Sequence, residues 1–288
     1  MIVDCHTHIN FAADDDVSAS EHLEAAETVD ACIVLARREA SSEEVNKKLS
    51  EYVDRHKEKM VGFAIVEPVK DNVSVKHLAF IRDKLGLRGA VVYCCKSGFH
   101  PTHSRAMQFY ESAEVLGLPV FFHSEGAFLE SDAFLEFAQP YLIDEVARRF
   151  KKLKIVIGTM GVPFIEQTLS MAAKHENVYA DLTIRPRNVW QVYNIVMAAY
   201  ERGVMGKLLF GSGFPSSKAG DCIEALLGFN MRLADTNLPT VPRGSIQSII
   251  ERDTLALLGI KEKVTAAEED EEAQAKQRKS KRTAKFKI

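Results

Sequence analysis

The chain alternates between short, continuous apolar runs and longer segments in which apolar residues recur every three or four positions. Continuous apolar runs are typical of strands buried on both faces, and the longer segments have the spacing of amphipathic helices. The eight runs that we interpret as strands cover residues 2–5, 31–36, 60–66, 89–94, 119–123, 155–158, 178–181 and 207–211.

The helical segments lie between these runs and after the last of them. We predict helices over residues 20–29, 43–56, 73–85, 102–116, 143–150, 164–175, 189–201, 223–233 and 246–258, and a loop over residues 11–20. Regular alternation of strands and helices predicts a parallel sheet covered by helices, and eight units in about 260 residues favour a (β/α)8 TIM barrel of the α/β class. The alternative is an open doubly wound sheet, which the eight repeats and the lack of a GxGxxG motif after the first strand disfavour.

Composition describes an ordinary globular chain. Apolar residues make up 46% and charged residues 27% of the sequence, and the formal net charge is −3. This balance gives no argument for a nucleic-acid or membrane partner, and no apolar run approaches the roughly 20 residues of a membrane helix. No signal peptide is evident, and the five cysteines form no CxxC pair. We therefore expect reduced thiols and a cytoplasmic protein.

A change of composition near residue 260 divides the chain into a barrel, residues 1–260, and a charged tail, residues 261–288. The tail has an acidic block at 268–272, followed by seven lysines and arginines between residues 276 and 287. With almost nothing apolar to bury, it is predicted to be disordered or a lone charged helix in solvent. The alternatives are that its basic part contacts nucleic acid or an acidic protein surface, or that its two blocks pair with each other.

Candidate chemistry lies at the carboxyl ends of the predicted strands, where barrel enzymes place their active sites. The first strand leads into Asp4-Cys5-His6-Thr7-His8. Because strand side chains alternate between faces, His6 and His8 point the same way and can offer two imidazoles to one metal ion. His123 ends the fifth strand and is the candidate third ligand. The alternative is that these histidines make hydrogen bonds in the core.

Five stretches together resemble a known family over residues 1–260. They are DCHTH at 4–8, GFAIVEP at 62–68, LPVFFH at 118–123, LKIVIGTMG at 153–161 and LFGSGFP at 209–215. In combination they are similar to the amidohydrolase-related metal-dependent hydrolases, in particular to the branch that contains aminocarboxymuconate-semialdehyde decarboxylase. The resemblance implies a metallo-dependent hydrolase-like barrel with a divalent metal, zinc in the first instance, on His6, His8 and His123.

Two positions depart from the family pattern. The resemblance implies a histidine after strand six, where this chain has Thr159, and an aspartate after strand eight, where it has Gly213. In such sites the aspartate holds the cation and takes a proton from the bound water, and glycine can do neither. Three neutral histidines can still bind zinc, so the loss affects catalysis more than metal binding, although the metal itself could also be lost.

Several side chains could compensate for these losses. Glu125 lies two residues beyond His123, on the same face if the strand continues, and is our candidate catalytic carboxylate. The other candidate donors are Cys94, Cys95, His100 and His103. Asp181 ends strand seven and could either cap a loop or hydrogen-bond to a ligand histidine.

The remaining polar candidates lie in loops and helices. Arg185 and Arg187 follow strand seven and could bind a carboxylate or phosphate of a substrate, or could simply be solvated. Trp190 is interpreted as core or rim packing. The helical histidines, which we predict to lie at the surface, are His22, His56, His77 and His175.

Two functions from different classes follow. The first is a metal-dependent hydrolase or carboxy-lyase acting on a small carbonyl or carboxylate substrate. The second is a catalytically inactive barrel, a pseudoenzyme, that serves as a binding or scaffolding protein. The sequence names no substrate and leaves the oligomeric state open, with a homodimer as one option.

Overall fold

A computed structural model describes residues 1–11, 15–38, 40–124 and 131–260. Glu125 and the tail, residues 261–288, lie outside the described residues. The strands are β1 Val3–Thr7, β2 Ala31–Leu35, β3 Met60–Ile65, β4 Gly89–Val92, β5 Val120–Phe122, β6 Ile155–Ile157, β7 Val178–Asp181 and β8 Leu208–Leu209. Each of the eight predicted strands is present, with its ends moved by at most two residues.

The strands of the described residues form one parallel sheet in chain order, from β1 to β8. The segment that follows β8 then pairs with β1, which closes the sheet into a barrel. The backbone hydrogen bonds across this closure are Cys5 N to Phe210 O (2.9 Å), Gly213 N to His6 O (2.9 Å) and His8 N to Phe214 O (3.0 Å). The predicted (β/α)8 barrel is confirmed.

Helices of the described residues surround the barrel. They are α1 Asp15–Ala25, α2 Ser42–Arg55, α3 Val75–Asp83, α4 Cys94–Ser97, α5 Ser104–Leu116, α6 Asp144–Arg149, α7 Ile165–Lys174, α8 Val189–Glu201, α9 Ala219–Leu227, α10 Arg243–Ile250 and α11 Thr254–Leu257. Short 3-10 turns occupy Leu135–Ala138, Pro140–Ile143, Gly158–Gly161, Met205–Lys207 and Asn230–Leu233. None of the helices described here combines the length and the apolar character needed to cross a membrane.

Three helical predictions were wrong in their limits. The first helix begins at Asp15, inside the segment predicted to be a loop. The helix predicted over 223–233 begins four residues earlier, at Ala219, and ends at Leu227. The last predicted helix is divided in two, because the side chain of Asp253 accepts a hydrogen bond from Ala256 N (2.9 Å) and starts a new helix there.

Side chains fill the barrel rather than leaving a channel. Phe63 on β3 is fully buried and pairs in register with Gly89 on β4. A β-carbon at Gly89 would lie only 2.5 Å from the Phe63 ring, so the absence of a side chain at Gly89 leaves room for that ring. Apolar side chains therefore fill the interior of the barrel below its carboxyl end, and the polar groups described below lie at that end.

Two of the four helical histidines predicted at the surface are instead buried. His22 is 1% exposed: Nδ1 makes a 2.8 Å hydrogen bond with the Tyr52 hydroxyl, and the ring stacks on Phe214 at 5.0 Å between centroids. His175 is also buried, and its Nε2 lies 2.8 Å from Oδ1 of Asp144. Each has a specific polar partner, as buried polar side chains require.

Candidate metal centre

Three imidazoles meet at the carboxyl end of the barrel. His6 lies on β1, His8 follows it, and His123 follows β5; all three side chains are buried. Their Nε2 atoms are separated by 3.1 Å (His6 to His8), 3.2 Å (His6 to His123) and 3.0 Å (His8 to His123). The structure brings together the three residues that the sequence singled out.

A backbone carbonyl fixes the orientation of His8. Its Nδ1 lies 2.9 Å from the carbonyl oxygen of Leu35, the last residue of β2. A carbonyl oxygen can only accept, so Nδ1 carries the hydrogen and the neutral ring keeps its lone pair on Nε2. Burial, followed by the charge of His6, lowers the pKa of His8 well below its ordinary value, so the ring is neutral near pH 7.

A carboxylate holds His6 instead. Its Nδ1 is 2.6 Å from Oδ2 of Asp181, at the end of β7, and 2.9 Å from Oγ1 of Thr183. Burial by itself would raise the pKa of Asp181, but the charge of His6 and hydrogen bonds from His6, Thr183 and Thr159 outweigh it, and the pKa lies below its ordinary value. Asp181 fills both of the roles foreseen for it, since it hydrogen-bonds to a histidine of the cluster and its Oδ1 also accepts from Thr183 N (2.9 Å) in the loop after β7.

Aromatic rings surround His123. The Tyr93 ring lies 4.7 Å from the imidazole and the Phe121 ring 6.2 Å from it, measured between centroids. The Tyr93 hydroxyl donates a 2.8 Å hydrogen bond to the carbonyl of Ala36, which holds the ring in place. Burial, then the charges of His6 and His8, lower the pKa of His123 well below its ordinary value.

The spacing of the three nitrogens suits a metal ion. Zinc–imidazole bonds of about 2.0–2.1 Å in a tetrahedral site place donor atoms roughly 3.3 Å apart. The observed separations of 3.0–3.2 Å are close to that value. Lone pairs on several converging nitrogens also repel each other unless a proton or a cation lies among them. Both the distances and the chemistry of the donors therefore fit a divalent ion.

Neither of the two altered family positions adds a ligand. Thr159 follows β6, and its backbone N–H donates to Oδ2 of Asp181 (2.9 Å) while its buried hydroxyl makes no hydrogen bond with the described residues. Gly213 has a positive φ of 66°, and its N–H bonds to the backbone of His6. Across the described ranges, the group able to hold a metal consists of His6, His8 and His123.

The alternative donors lie elsewhere or lie outside the described residues. Cys94 is a buried thiol whose pKa is raised well above its ordinary value by burial, and Cys95 is also buried. His100 accepts from Thr102 N (3.1 Å), and His103 accepts from Arg105 N (3.3 Å) at the start of α5. Glu125, the candidate catalytic carboxylate, stays a prediction.

The predicted substrate-binding arginines lie in the loop after β7. Arg185 is half-buried and Arg187 is exposed. Trp190, at the start of α8, is 63% exposed and stacks on Tyr193 with 5.4 Å between centroids. Trp190 is thus an exposed ring that packs on the buried Tyr193, and the role of the two arginines remains a prediction.

Two cations that sequence reasoning did not select act on the cluster. The charges of Lys96, on α4, and Arg37, two residues after β2, contribute after burial and the neighbouring histidines to the lowered pKa of His8 and of His123. Both residues follow the carboxyl ends of strands, so their positions in the sequence indicate that they lie at the same end of the barrel as the histidines. Only the arginines after β7 had been considered as substrate ligands.

Asp4 is a second buried carboxyl group near the cluster. Its Oδ1 accepts from Ser212 N (2.9 Å) and from His6 N (3.2 Å), which ties β1 to the segment after β8. Burial raises the pKa of Asp4 to about 6, against the opposing effect of the hydrogen bonds from Ser212. Asp4 thus supports the closure of the barrel beside the histidines.

Solved structures share this fold at low sequence identity. A probable 2-pyrone-4,6-dicarboxylic acid hydrolase from Acinetobacter baumannii is 14% identical with a TM-score of 0.64, and the match covers 90% of this chain and 99% of that one. The 2,6-dihydroxybenzoate decarboxylase from Rhizobium is 14% identical with a TM-score of 0.60, and the match covers 90% of this chain and 98% of that one. A 5-carboxyvanillate decarboxylase from Novosphingobium aromaticivorans, with bound manganese, is 8% identical with a TM-score of 0.60, and the match covers 90% of this chain and 97% of that one.

Sequence comparison identifies the family. No curated protein sequence matches the chain significantly. The sequence model of the family described as Amidohydrolase matches residues 3–234, most of the barrel. This match confirms the resemblance to the family that was seen in the sequence. The chain belongs to the amidohydrolase family.

Proposed function

We propose that this protein is a metal-dependent hydrolase or carboxy-lyase that acts on a small carboxylate-bearing substrate, with His6, His8 and His123 as the metal ligands. The observation that carries the proposal is the convergence of their three Nε2 atoms within 3.2 Å of one another. A bound divalent ion would polarise a substrate oxygen or lower the pKa of water.

The chain's own groups support binding and orientation. Leu35 O and Asp181 receive the Nδ1 hydrogens of His8 and His6, so both rings present Nε2 to the same point. All-nitrogen donor sets suit zinc better than manganese or magnesium, which prefer carboxylate oxygens. We therefore propose zinc as the metal, although manganese is bound in one structurally similar decarboxylase.

The charge at the rim favours an anionic substrate. Arg37 and Lys96 act electrostatically on His8 and His123, and Arg185 and Arg187 follow β7 at the same end of the barrel. Guanidinium groups bind carboxylates through paired hydrogen bonds. The structurally similar proteins are named for acting on 2,6-dihydroxybenzoate, 5-carboxyvanillate and 2-pyrone-4,6-dicarboxylic acid, all of which carry carboxylates. Aryl and pyrone carboxylates are accordingly the first substrates to test.

The catalytic base remains the least defined part of the proposal. Glu125 follows His123 by two residues and is the proposed carboxylate in place of the aspartate missing at Gly213. Replacement of Glu125 by glutamine should lower kcat by at least 100-fold, because an amide cannot accept the proton that a carboxylate accepts. An unchanged kcat would remove Glu125 from the mechanism.

The test has two stages with one matched control. Purified protein is analysed for metals before and after loading with zinc, and zinc-loaded protein is then assayed for release of carbon dioxide or ring opening. His123→Ala should abolish both stoichiometric zinc binding and turnover. His100→Ala, which changes a histidine outside the cluster, should leave both intact. Less than about a tenth of an equivalent of metal after loading, or turnover that survives His123→Ala, would contradict the proposal.

A second candidate is a barrel that has lost its reaction and serves as a binding or scaffolding protein. Thr159 and Gly213 favour it, because neither supplies the imidazole or carboxylate implied at its position. Zinc binding without turnover on any of the carboxylates, with Glu125→Gln indistinguishable from wild type, would favour this candidate. A cytoplasmic location, a homodimer and a solvated charged tail remain proposals alongside either function.

A further inference from the structure

We infer that Asp181 is the positioning residue around which the histidine cluster is built. It orients His6 and supplies, from behind that ring, the negative charge for which the strand-eight position has no carboxylate. The inference rests on the proposed metal-binding function.

The first observation is the number of donors that Asp181 receives while fully buried. Oδ2 accepts from His6 Nδ1 (2.6 Å), Thr159 N (2.9 Å) and the Thr183 hydroxyl. Oδ1 accepts from Thr183 N (2.9 Å), and the Cys5 thiol lies 3.7 Å away. A buried carboxylate is costly unless it is paired and fully hydrogen-bonded, and this one is both.

The second observation is that the neighbouring strand leaves room for this carboxylate. Gly211 follows β8, and a β-carbon placed on it would collide with Oδ1 of Asp181 and lie 3.0 Å from Cβ of His6. Any residue other than glycine would displace the carboxylate, the histidine or both. The glycine therefore makes space for the Asp181–His6 pair.

The third observation is backbone strain that serves the same carboxylate. Among the described residues other than glycine, positive φ angles occur at Thr159 (48°), Met160 (53°) and Thr183 (33°). Two of these three residues donate their backbone N–H to Asp181. A positive φ in a β-branched residue is strained and persists only where the surroundings require it. Here two of the three strained residues, Thr159 and Thr183, donate their N–H groups to Asp181.

These observations assign Asp181 a role that a neutral acceptor would not perform. A carboxylate that accepts from Nδ1 keeps the hydrogen on that nitrogen, leaves the lone pair on Nε2 and increases the basicity of the ring toward a metal. His8 has only the carbonyl of Leu35 in the equivalent place. His6 is thus a stronger donor than His8, and the charge that would balance a cation lies on Asp181.

The main test compares Asp181→Asn with Asp144→Asn. Asp144 is a surface carboxylate that pairs with Lys174 and His175, so it controls for loss of a carboxylate as such. Zinc affinity is measured by competition with a chromophoric chelator, and the imidazole nitrogens of the metal-free proteins are followed by nitrogen-15 NMR. We expect Asp181→Asn to weaken zinc binding 10–100-fold and to shift the His6 nitrogens, and Asp144→Asn to change neither.

A milder variant protects the test against misfolding. Thr183→Val keeps the β-branched shape and removes the hydroxyl that contacts both Asp181 and His6. It should weaken zinc binding about three- to tenfold. Equal affinities of wild type and a folded Asp181→Asn, or of wild type and Thr183→Val, would overturn this inference alone. A wild-type protein that takes up no zinc would overturn the proposed function and this inference together.

Discussion

The two sides of the histidine cluster hold their imidazoles by different means. On the side of β7 and β8, His6 contacts a buried carboxylate that also receives strained backbone N–H groups. On the side of β4 and β5, His123 lies against the rings of Tyr93 and Phe121. The contacts described for His6 include a charge and hydrogen bonds, and those described for His123 include two aromatic rings.

This contrast separates two properties of a binding site. A hydrogen bond to Nδ1 sets which nitrogen carries the lone pair and how basic it is, whereas packing mainly limits how far the ring can rotate. Damage to the carboxylate side should therefore change affinity for a metal more than stability. Damage to the aromatic side should change stability at least as much as affinity.

The largest expected effect is on the aromatic side. Tyr93→Ala should lower the free energy of unfolding by about 3–5 kcal/mol, because it removes a buried ring from the core and leaves a cavity beside His123. Urea unfolding measures the loss, and Tyr141→Ala, at an exposed ring, should cost less than about 1 kcal/mol. A loss below about 1 kcal/mol for Tyr93→Ala would show that packing does not hold this side.

The next effect concerns His22, which stacks on Phe214, one of the residues that close the barrel. Burial, and secondarily the charge of His56, lower its pKa to about 4, and the Tyr52 hydroxyl is its hydrogen-bond partner. The unfolded chain, with a pKa near 6.5, binds this proton more readily than the folded chain. The contribution of neutral His22 to the free energy of unfolding is therefore fully present above about pH 6.5. It is lost as the pH drops toward 4, by up to roughly 3 kcal/mol.

This pH dependence is measured by urea unfolding between pH 4 and 7. His22→Gln, which cannot be protonated, should show a shallower fall in stability over that range than wild type does. His77→Gln, at a half-buried helical histidine, should follow the wild-type curve. Parallel curves for wild type and His22→Gln would contradict the assignment.

A smaller effect is expected on the carboxylate side from Gly211→Ala. The new methyl group would collide with Asp181 and crowd His6, so the free energy of unfolding should fall by about 1–3 kcal/mol and zinc affinity should fall with it. Gly206→Ala is the matched control, since a β-carbon there meets no atom within 4 Å. A Gly211→Ala protein with wild-type affinity would show that the space beside Asp181 is not needed.

The smallest effect separates the ring of Tyr93 from its hydroxyl. Tyr93→Phe keeps the ring against His123 but loses the hydrogen bond to Ala36 O, which should cost about 1 kcal/mol. Zinc affinity should stay within about twofold of wild type, a difference below 0.5 kcal/mol. A larger loss of affinity would mean that the hydroxyl, rather than the shape of the ring, orients His123.

The strands were predictable because burial on both faces leaves a direct mark on the sequence. The first helix was not, since Asp15 and the residues after it carry no clear apolar periodicity. The short helix Cys94–Ser97 was also missed, because a continuous apolar run does not show where a strand gives way to a helical turn.

The three histidines of the cluster were predictable from local signals, but the residues that support them were not. His6 and His8 are one residue apart, and His123 ends a strand. The carboxylate that holds His6 lies 175 residues away from it, and Asp181 had only its place at a strand end to indicate a role. The space at Gly211 and the left-handed Thr159 depend on tertiary contacts that one sequence does not record.

The barrel closure has a consequence for the order of events during synthesis. The free edge of β1 finds its partners only at Phe210, Gly213 and Phe214, some 200 residues later. At about 5–20 residues per second, the ribosome takes roughly 10–40 s to supply them. Until then the nascent chain offers the pair His6 and His8 without the completed pocket around them. The pocket around these two histidines is therefore complete only when the segment after β8 has paired with β1.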